Sequence, residues 1–310
     1  MASKDYIKLC QEAQNNKLKL AKKQEKQISQ IYNDIYLNVS KKLQKSNPGS
    51  LNERYLDQLR KDLEDEIRTV NTKVSKIIKK NTETSSELAS NVQLDFFMSI
   101  NDKYDLNLGS TFSSMFTKIP KQAMNEILFG KVYKDNKGLS DRIWQYTNKF
   151  EKDIDYIIAQ GIANKKSIYE IAKDLEKYVN PNAVKDWEWR KVYPNSNKKI
   201  DYNAQRLART AINHAFQQAQ KRSCSKNPYV EGIKWITSNS HRTCELCKSR
   251  NGIIYKVNEV PLDHPNGLCT TVPEIPMTLN EIGKELMEWI DGESNSKLDK
   301  WFSEFGEDFL

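Results

Sequence analysis

Cys244 and Cys247 stand two residues apart, and His264 and Cys269 follow in a second polar stretch, Asp263-His264-Pro265-Asn266-Gly267-Leu268-Cys269. A Cys-x-x-Cys turn points both sulfurs to one side, where a metal ion can sit. With His264 and Cys269 the set becomes Cys₃His, the closed tetrahedral arrangement that Zn²⁺ favours in structural sites. The expected metal ligands are therefore Cys244, Cys247, His264 and Cys269, holding one structural zinc. A second reading stays open: two turns packing free thiols, with His264-Pro265-Asn266 held by its own hydrogen bonds. His241, just ahead of the first pair, is a weaker candidate ligand. The remaining cysteines are Cys10 and Cys224. An odd number in a chain of 310 residues argues against a disulfide framework.

Hydrolytic metal chemistry would need an open coordination position and a general base. The chain has three histidines, His214, His241 and His264. His214 lies in a helical stretch with no Asp or Glu near it in sequence, and a closed Cys₃His site leaves no open position. No catalytic residues are expected, and the protein is not read as an enzyme.

The elements that must position these side chains are legible in part. Three segments rich in β-branched and aromatic residues, 232–237, 253–257 and 270–273, predict short strands flanking the cysteine turns. Before them, Leu207, Ala211, Ala215 and Ala219 recur four apart, which predicts a helix over 201–222 whose small residues allow close packing. Ser167 with Glu170 forms a capping box, starting a helix through Ile168, Ile171, Leu175 and Val179 that ends at Asn180-Pro181. The stretch 182–200, with Trp187, Trp189, Arg190, Lys191, Tyr193, Lys198 and Lys199, lacks helical periodicity and reads as a loop. Its basic and aromatic mixture suits either packing or nucleic-acid contact. A helix is expected over 139–162. Residues 106–138 read as loops at Gly109-Ser110-Thr111 and Gly130 around a short helix near 120–129.

Toward the N-terminus, Ile28, Ile31, Ile35, Val39 and Leu43 recur at three and four. Asn47-Pro48-Gly49 then breaks the helix, and Ser50 with Glu53 fits a capping box. Leu56, Leu59, Leu63, Ile67, Val70, Val74 and Ile77 continue as a narrow apolar seam, the kind that pairs with another helix. The expected fold is α+β and predominantly α-helical: elongated N-terminal helices followed by a small β-containing C-terminal domain. The expected division is an elongated helical region over 1–105, a central helical region with the basic aromatic loop over 106–200, an α+β domain with the Cys/His turns over 201–276, and an acidic amphipathic tail over 277–310. That tail is expected to pack back on the body through its apolar residues; the alternative is that Trp289, Trp301, Phe302 and Phe305 anchor it to a partner.

Composition bounds the function. A mean hydropathy of −0.76 with 29% charged residues describes solvated helices that each bury one face, not a membrane protein. With no signal-like N-terminus, synthesis in a cytoplasm is expected. The net charge of +8 is unevenly spread. Residues 1–80 hold 18 basic and 10 acidic side chains, a balance of +8, whereas 274–310 hold 3 and 10, a balance of −7. The basic body fits a polyanionic partner such as DNA, or simply a Lys-rich helical surface, because acids are interspersed throughout.

The order of motifs resembles the Mu F-like head morphogenesis proteins of tailed phages and the related phage minor capsid proteins. Ala208-Arg209-Thr210 stands on the predicted helix, Lys234-Trp235 on the first strand, and Arg242-Thr243-Cys244 with Cys247 follows, then Gly252. The closing motif, His-Pro-Asn-Cys-Arg-Cys in the family, reads His264-Pro265-Asn266-Gly267-Leu268-Cys269 here. A site built on the first cysteine of that motif cannot form in this chain; one built on Cys269 can. Arg142-Ile143-Trp144 resembles the opening of the family's upstream helical region. The resemblance implies a virion protein made in the host bacterial cytoplasm and placed inside the capsid at the portal vertex. It would aid head assembly, with the portal protein, scaffold or major capsid protein and non-specifically bound phage DNA as partners. The alternative is a zinc-dependent nucleic-acid-binding protein or nuclease.

Overall fold

The computed structural model describes residues 4–237 and 243–308. Eleven α-helices and one three-stranded sheet are formed by these residues. Helices α1 (Lys4–Lys45) and α2 (Glu53–Tyr104) are followed by α3 (Gly109–Thr117), α4 (Ile119–Leu128), α5 (Leu139–Ala163), α6 (Ile168–Val179), α7 (Trp187–Val192) and α8 (Tyr202–Ser225). Strand β1 (Gly232–Ile236), helix α9 (Glu245–Arg250), strands β2 (Ile254–Tyr255) and β3 (Thr270–Glu274), and helices α10 (Leu279–Ile290) and α11 (Ser296–Phe305) complete the chain. The predominantly helical α+β class read from the sequence is the class observed. Among the described residues, no helix is long and apolar enough to cross a membrane.

Packing groups the chain into two compact units. One comprises Lys22–Lys79 and Lys137–Ala208; the other comprises Met1–Ala21, Lys80–Asn136 and Arg209–Leu310.

In the first unit α1 and α2 form the expected hairpin. Lys42 pairs with Asp62, and Asn38 donates to Glu66 at 3.0 Å, so the helices run antiparallel. Leu56, Leu59, Leu63, Ile67, Val70 and Val74 are buried as the periodicity predicts, but the seam closes on Ile78, with Ile77 only half-buried. The helix drifts relative to a strict 3.5-residue repeat, which moves the last contact on by one residue. The cap of α2 also differs from expectation. Asn52, not Ser50, accepts the Tyr55 amide at 3.0 Å, while Ser50 closes a 3-10 turn over Pro48–Ser50. The Ser167–Glu170 box is present in both directions. Helices α5 and α6 approach closely at Gly161, where a Cβ would lie 2.6 Å from Ile171.

The stretch 182–200 is not a plain loop. Asp186 caps α7 through the Trp189 amide, and buried Trp189 donates its indole N–H to the Ser196 carbonyl at 3.0 Å. Its Lys185 ammonium lies 4.3 Å from the Trp189 ring centre, and burial pushes the lysine down to about 7. Trp187 stays exposed. A six-residue helix is too short for periodicity to reveal.

The second unit has a core of stacked aromatics. Phe97 stacks on Phe112, Phe116 and Trp301, the last at 5.9 Å with ring planes 9° apart. Trp301, Leu298, Ile282 and Leu286 are buried in that core, so the acidic tail packs back on the body. Residues 109–111, expected as a loop, begin α3, because buried Phe112, Met115 and Phe116 give the segment an inward face. The sheet has the order β2-β1-β3, all antiparallel, with Ile233 opposite both Tyr255 and Pro273. Pro273 is tolerated because β3 is an edge strand.

Candidate functional site

The two cysteine-bearing turns of the sequence converge in the second unit, against one face of α8. Cys244 is the exposed N-cap of α9, and Cys247, one turn on, is buried. Gly252, at φ +82°, ends that helix segment in the left-handed conformation that glycine takes without strain. The chain then returns to β1, where the Trp235 amide donates to the Ile253 carbonyl at 2.9 Å. Trp235, Cys247 and Cys269 form a small apolar cluster beneath the turns, and the Arg250 guanidinium lies 5.1 Å from the Trp235 ring centre.

The ligand atoms fall into two groups of three, each within 4.8 Å: Cys244, Cys247 and His264 on the open side, and Cys247, Asp263 and Cys269 inside. Cys247 is common to both. Three of the four predicted ligands therefore meet, and the fourth, Cys269, meets Cys247 together with a carboxylate that the sequence reading did not single out. Zinc bonds of about 2.0–2.3 Å put tetrahedral ligand atoms within ~4 Å of one another, so the open group needs only slight closure around an ion. His241 and Arg242 lie outside the described residues.

The three groups on the open side differ in their electrostatics. Cys244 is held below the usual thiol range, first by its bond to the Cys247 backbone, then by the Cys247 side chain and His264. Burial pushes the Cys247 thiol up, and its neighbours Cys269, Cys244 and Asp263 add to this. For His264, burial opposes the charge, but the Pro265 carbonyl, Asp263 and Cys244 together raise it above the ordinary imidazole value.

Asp263 is the organising residue of the turn. It is 3% exposed. Its Oδ2 accepts from the Cys269 amide and from Asn213 Nδ2, both at 3.0 Å, and its Oδ1 accepts from the His264 amide at 2.8 Å. Its own backbone is held by α8: the amide donates to Gln217 at 2.9 Å, and the carbonyl meets His214 Nε2 at 2.8 Å. His214 Nδ1 in turn meets the Tyr133 hydroxyl at 3.1 Å. Both ring nitrogens thus have partners inside the protein.

The two motifs of the resemblance are clasped together. The Asn266 amide donates to Thr210 Oγ1 at 2.9 Å, and Arg209 donates to the Asn266 carboxamide oxygen. Asn266 sits at φ +66°, a left-handed position that asparagine tolerates better than most residues. Arg209 therefore caps the Cys/His turn from α8. Gly267 has a steric reason too: a Cβ there would lie 2.1 Å from Asp263 Oδ2.

Sequence reasoning missed Lys17, Asn213 and Asp263. Lys17, from α1, is 3% exposed and donates to Asn213 Oδ1 at 2.7 Å. Burial pushes it down to about 7, against the charges of Asp263 and Cys269. No local pattern marks a lysine destined for burial 196 residues from its partner.

Residues 152–271 match the family model described as Phage Mu protein F like protein. The match runs from within α5 through Thr271 in β3 and includes the clasp between α8 and the Asp263–Cys269 turn. It supports the resemblance drawn from motif order. Neither a curated protein nor a solved structure gives a significant match.

Proposed function

We propose, from the premise that residues 152–271 are a Mu F-like segment, that the chain is a minor head protein of a tailed phage that acts in head morphogenesis. It sits inside the capsid at the portal vertex, contacts portal and scaffold or major capsid protein, and touches packaged DNA without sequence preference. The observation that carries this reading is the family match over the segment in which Arg209 and Thr210 clasp Asn266. That clasp spends the segment's polar side chains on holding a turn, as a structural module does. His214, the buried histidine, is likewise engaged on both nitrogens and is not free to serve as a general base.

Within this reading Cys244, Cys247 and His264 hold one structural zinc, with Cys269 closing the set after a small shift of the turn. The ion would tie α9 to the Asp263–Cys269 turn. Elemental analysis of the purified protein checks this: one zinc per chain supports it, and none with reduced thiols leaves the cysteines as packing.

The functional test is made on heads of the phage that encodes the chain. Peptide mass spectrometry should find it in purified heads at few copies, and cross-linking should join it to the portal protein. Its absence from heads would overturn the proposal. Magnesium- or zinc-dependent cleavage of DNA by the purified chain would favour the nuclease alternative.

A further inference from the structure

The Asn213 carboxamide lies between two ionisable groups. Lys17 Nζ donates to its oxygen at 2.7 Å, and its nitrogen donates to Asp263 Oδ2 at 3.0 Å. Lys17, Asn213 and Asp263 are 3%, 4% and 3% exposed. The amine also lies 4.7 Å from the centre of the Phe216 ring. A buried lysine normally meets its carboxylate directly, because the desolvated charge must be compensated. Here an amide is interposed between amine and acid.

That order of groups has chemical content. An amine hydrogen-bonded to a carbonyl oxygen sits roughly 3.5 Å from the carbonyl carbon, close to the separation of a near-attack pair. Burial, which lowers Lys17 to about 7, leaves much of it as the free amine, the form that is a nucleophile. Asp263 meets the nitrogen that would have to leave.

We propose that Lys17 and Asn213 join through an intramolecular isopeptide bond, formed by the folded chain itself with release of ammonia. Lys17 Nζ attacks Asn213 Cγ, and the new C–N bond forms as the carbonyl electrons move to oxygen. The proton lost from Nζ passes to Nδ2 across the tetrahedral centre, while Asp263 Oδ2 holds Nδ2 through its hydrogen bond. The carbonyl re-forms, the Cγ–Nδ2 bond breaks, and ammonia departs. One amide replaces another, so no oxidant, reductant or co-reactant is required. The product ties α1 covalently to α8 within one compact unit. The inference stands on the triad and does not depend on the phage assignment.

Intact-mass measurement of the purified full-length protein tests it. The expected mass is lower than that of the sequence by one ammonia. A tryptic digest should lack cleavage after Lys17 and contain a branched peptide joining Lys17 to Asn213. Lys17→Arg, which keeps the charge but cannot form the amide, should show its full sequence mass. Asn213→Asp should condense with loss of water instead of ammonia, a change of leaving group that no non-covalent role would produce. A wild-type protein at full sequence mass, cleaved normally after Lys17 even after prolonged incubation, would overturn the proposal without reliance on any variant.

Discussion

Gly267 shows how a neighbouring carboxylate can fix the identity of a single residue. The space a side chain would need is taken by the Asp263 carboxylate, 2.1 Å from where a Cβ would stand. Gly267→Ala should therefore destabilise the protein by about 1–3 kcal/mol through overpacking. Leu268→Ala, at a side chain that is 51% exposed, should leave the urea midpoint nearly unchanged. Equal midpoints for the two variants would show that the carboxylate moves aside without cost. At this scale the sequence exposed the cysteines and His264, because their chemistry is declared by residue type and short spacing. It hid Asp263, which stood inside the quoted motif but drew no attention as an ordinary turn acid. Lys17 and Asn213 were hidden more deeply, since their pairing exists only after α1 and α8 meet.

Among the elements, periodic ones were legible and short ones were not. The seam of α2 and the capping box of α6 follow from spacing alone. Helices α7 and α9, of six residues each, offer too few turns for a periodic signal, although Asp186 and Cys244 at their starts take extended backbone angles suited to a cap. The start of α2 shows how a cap is misread. Ser50 and Glu53 satisfy the pattern, yet Asn52 is one residue before the helix and makes the bond. Asn52→Ala should cost ~1 kcal/mol of stability, whereas Ser50→Ala should cost a few tenths at most. The reverse ranking in chemical denaturation would assign the cap to Ser50.

For the whole molecule, charge and packing tell separate stories. The net charge of +8 concerns partners, and the acidic tail is held by Trp301 and Leu298 through apolar burial instead of by its charge. If the basic surface meets packaged DNA, affinity for a random duplex should fall by about 10³–10⁵ between 50 and 200 mM salt for six to ten phosphate contacts. An affinity indifferent to salt would remove phosphate contact from the proposed role. The helical class was readable because mean hydropathy and apolar spacing average over many residues. The grouping of segments into compact units was not, since it depends on which distant stretches meet.

That grouping has a consequence for how the protein is made. The unit with the Cys/His turns is assembled from Met1–Ala21, Lys80–Asn136 and Arg209–Leu310. A ribosome releases the first of these long before the last. At about 5–20 residues per second, Lys17 waits roughly 10–40 seconds for Asn213 to emerge. Throughout that interval Lys17 lacks its amide partner, although Tyr6 can already meet Phe96 once α2 has emerged. A chain cut short before Asn213 carries the same first helix but lacks the partner that holds Lys17. The early segment thus reports on completion of the late one, and an exposed Lys17 distinguishes a fragment from a finished chain.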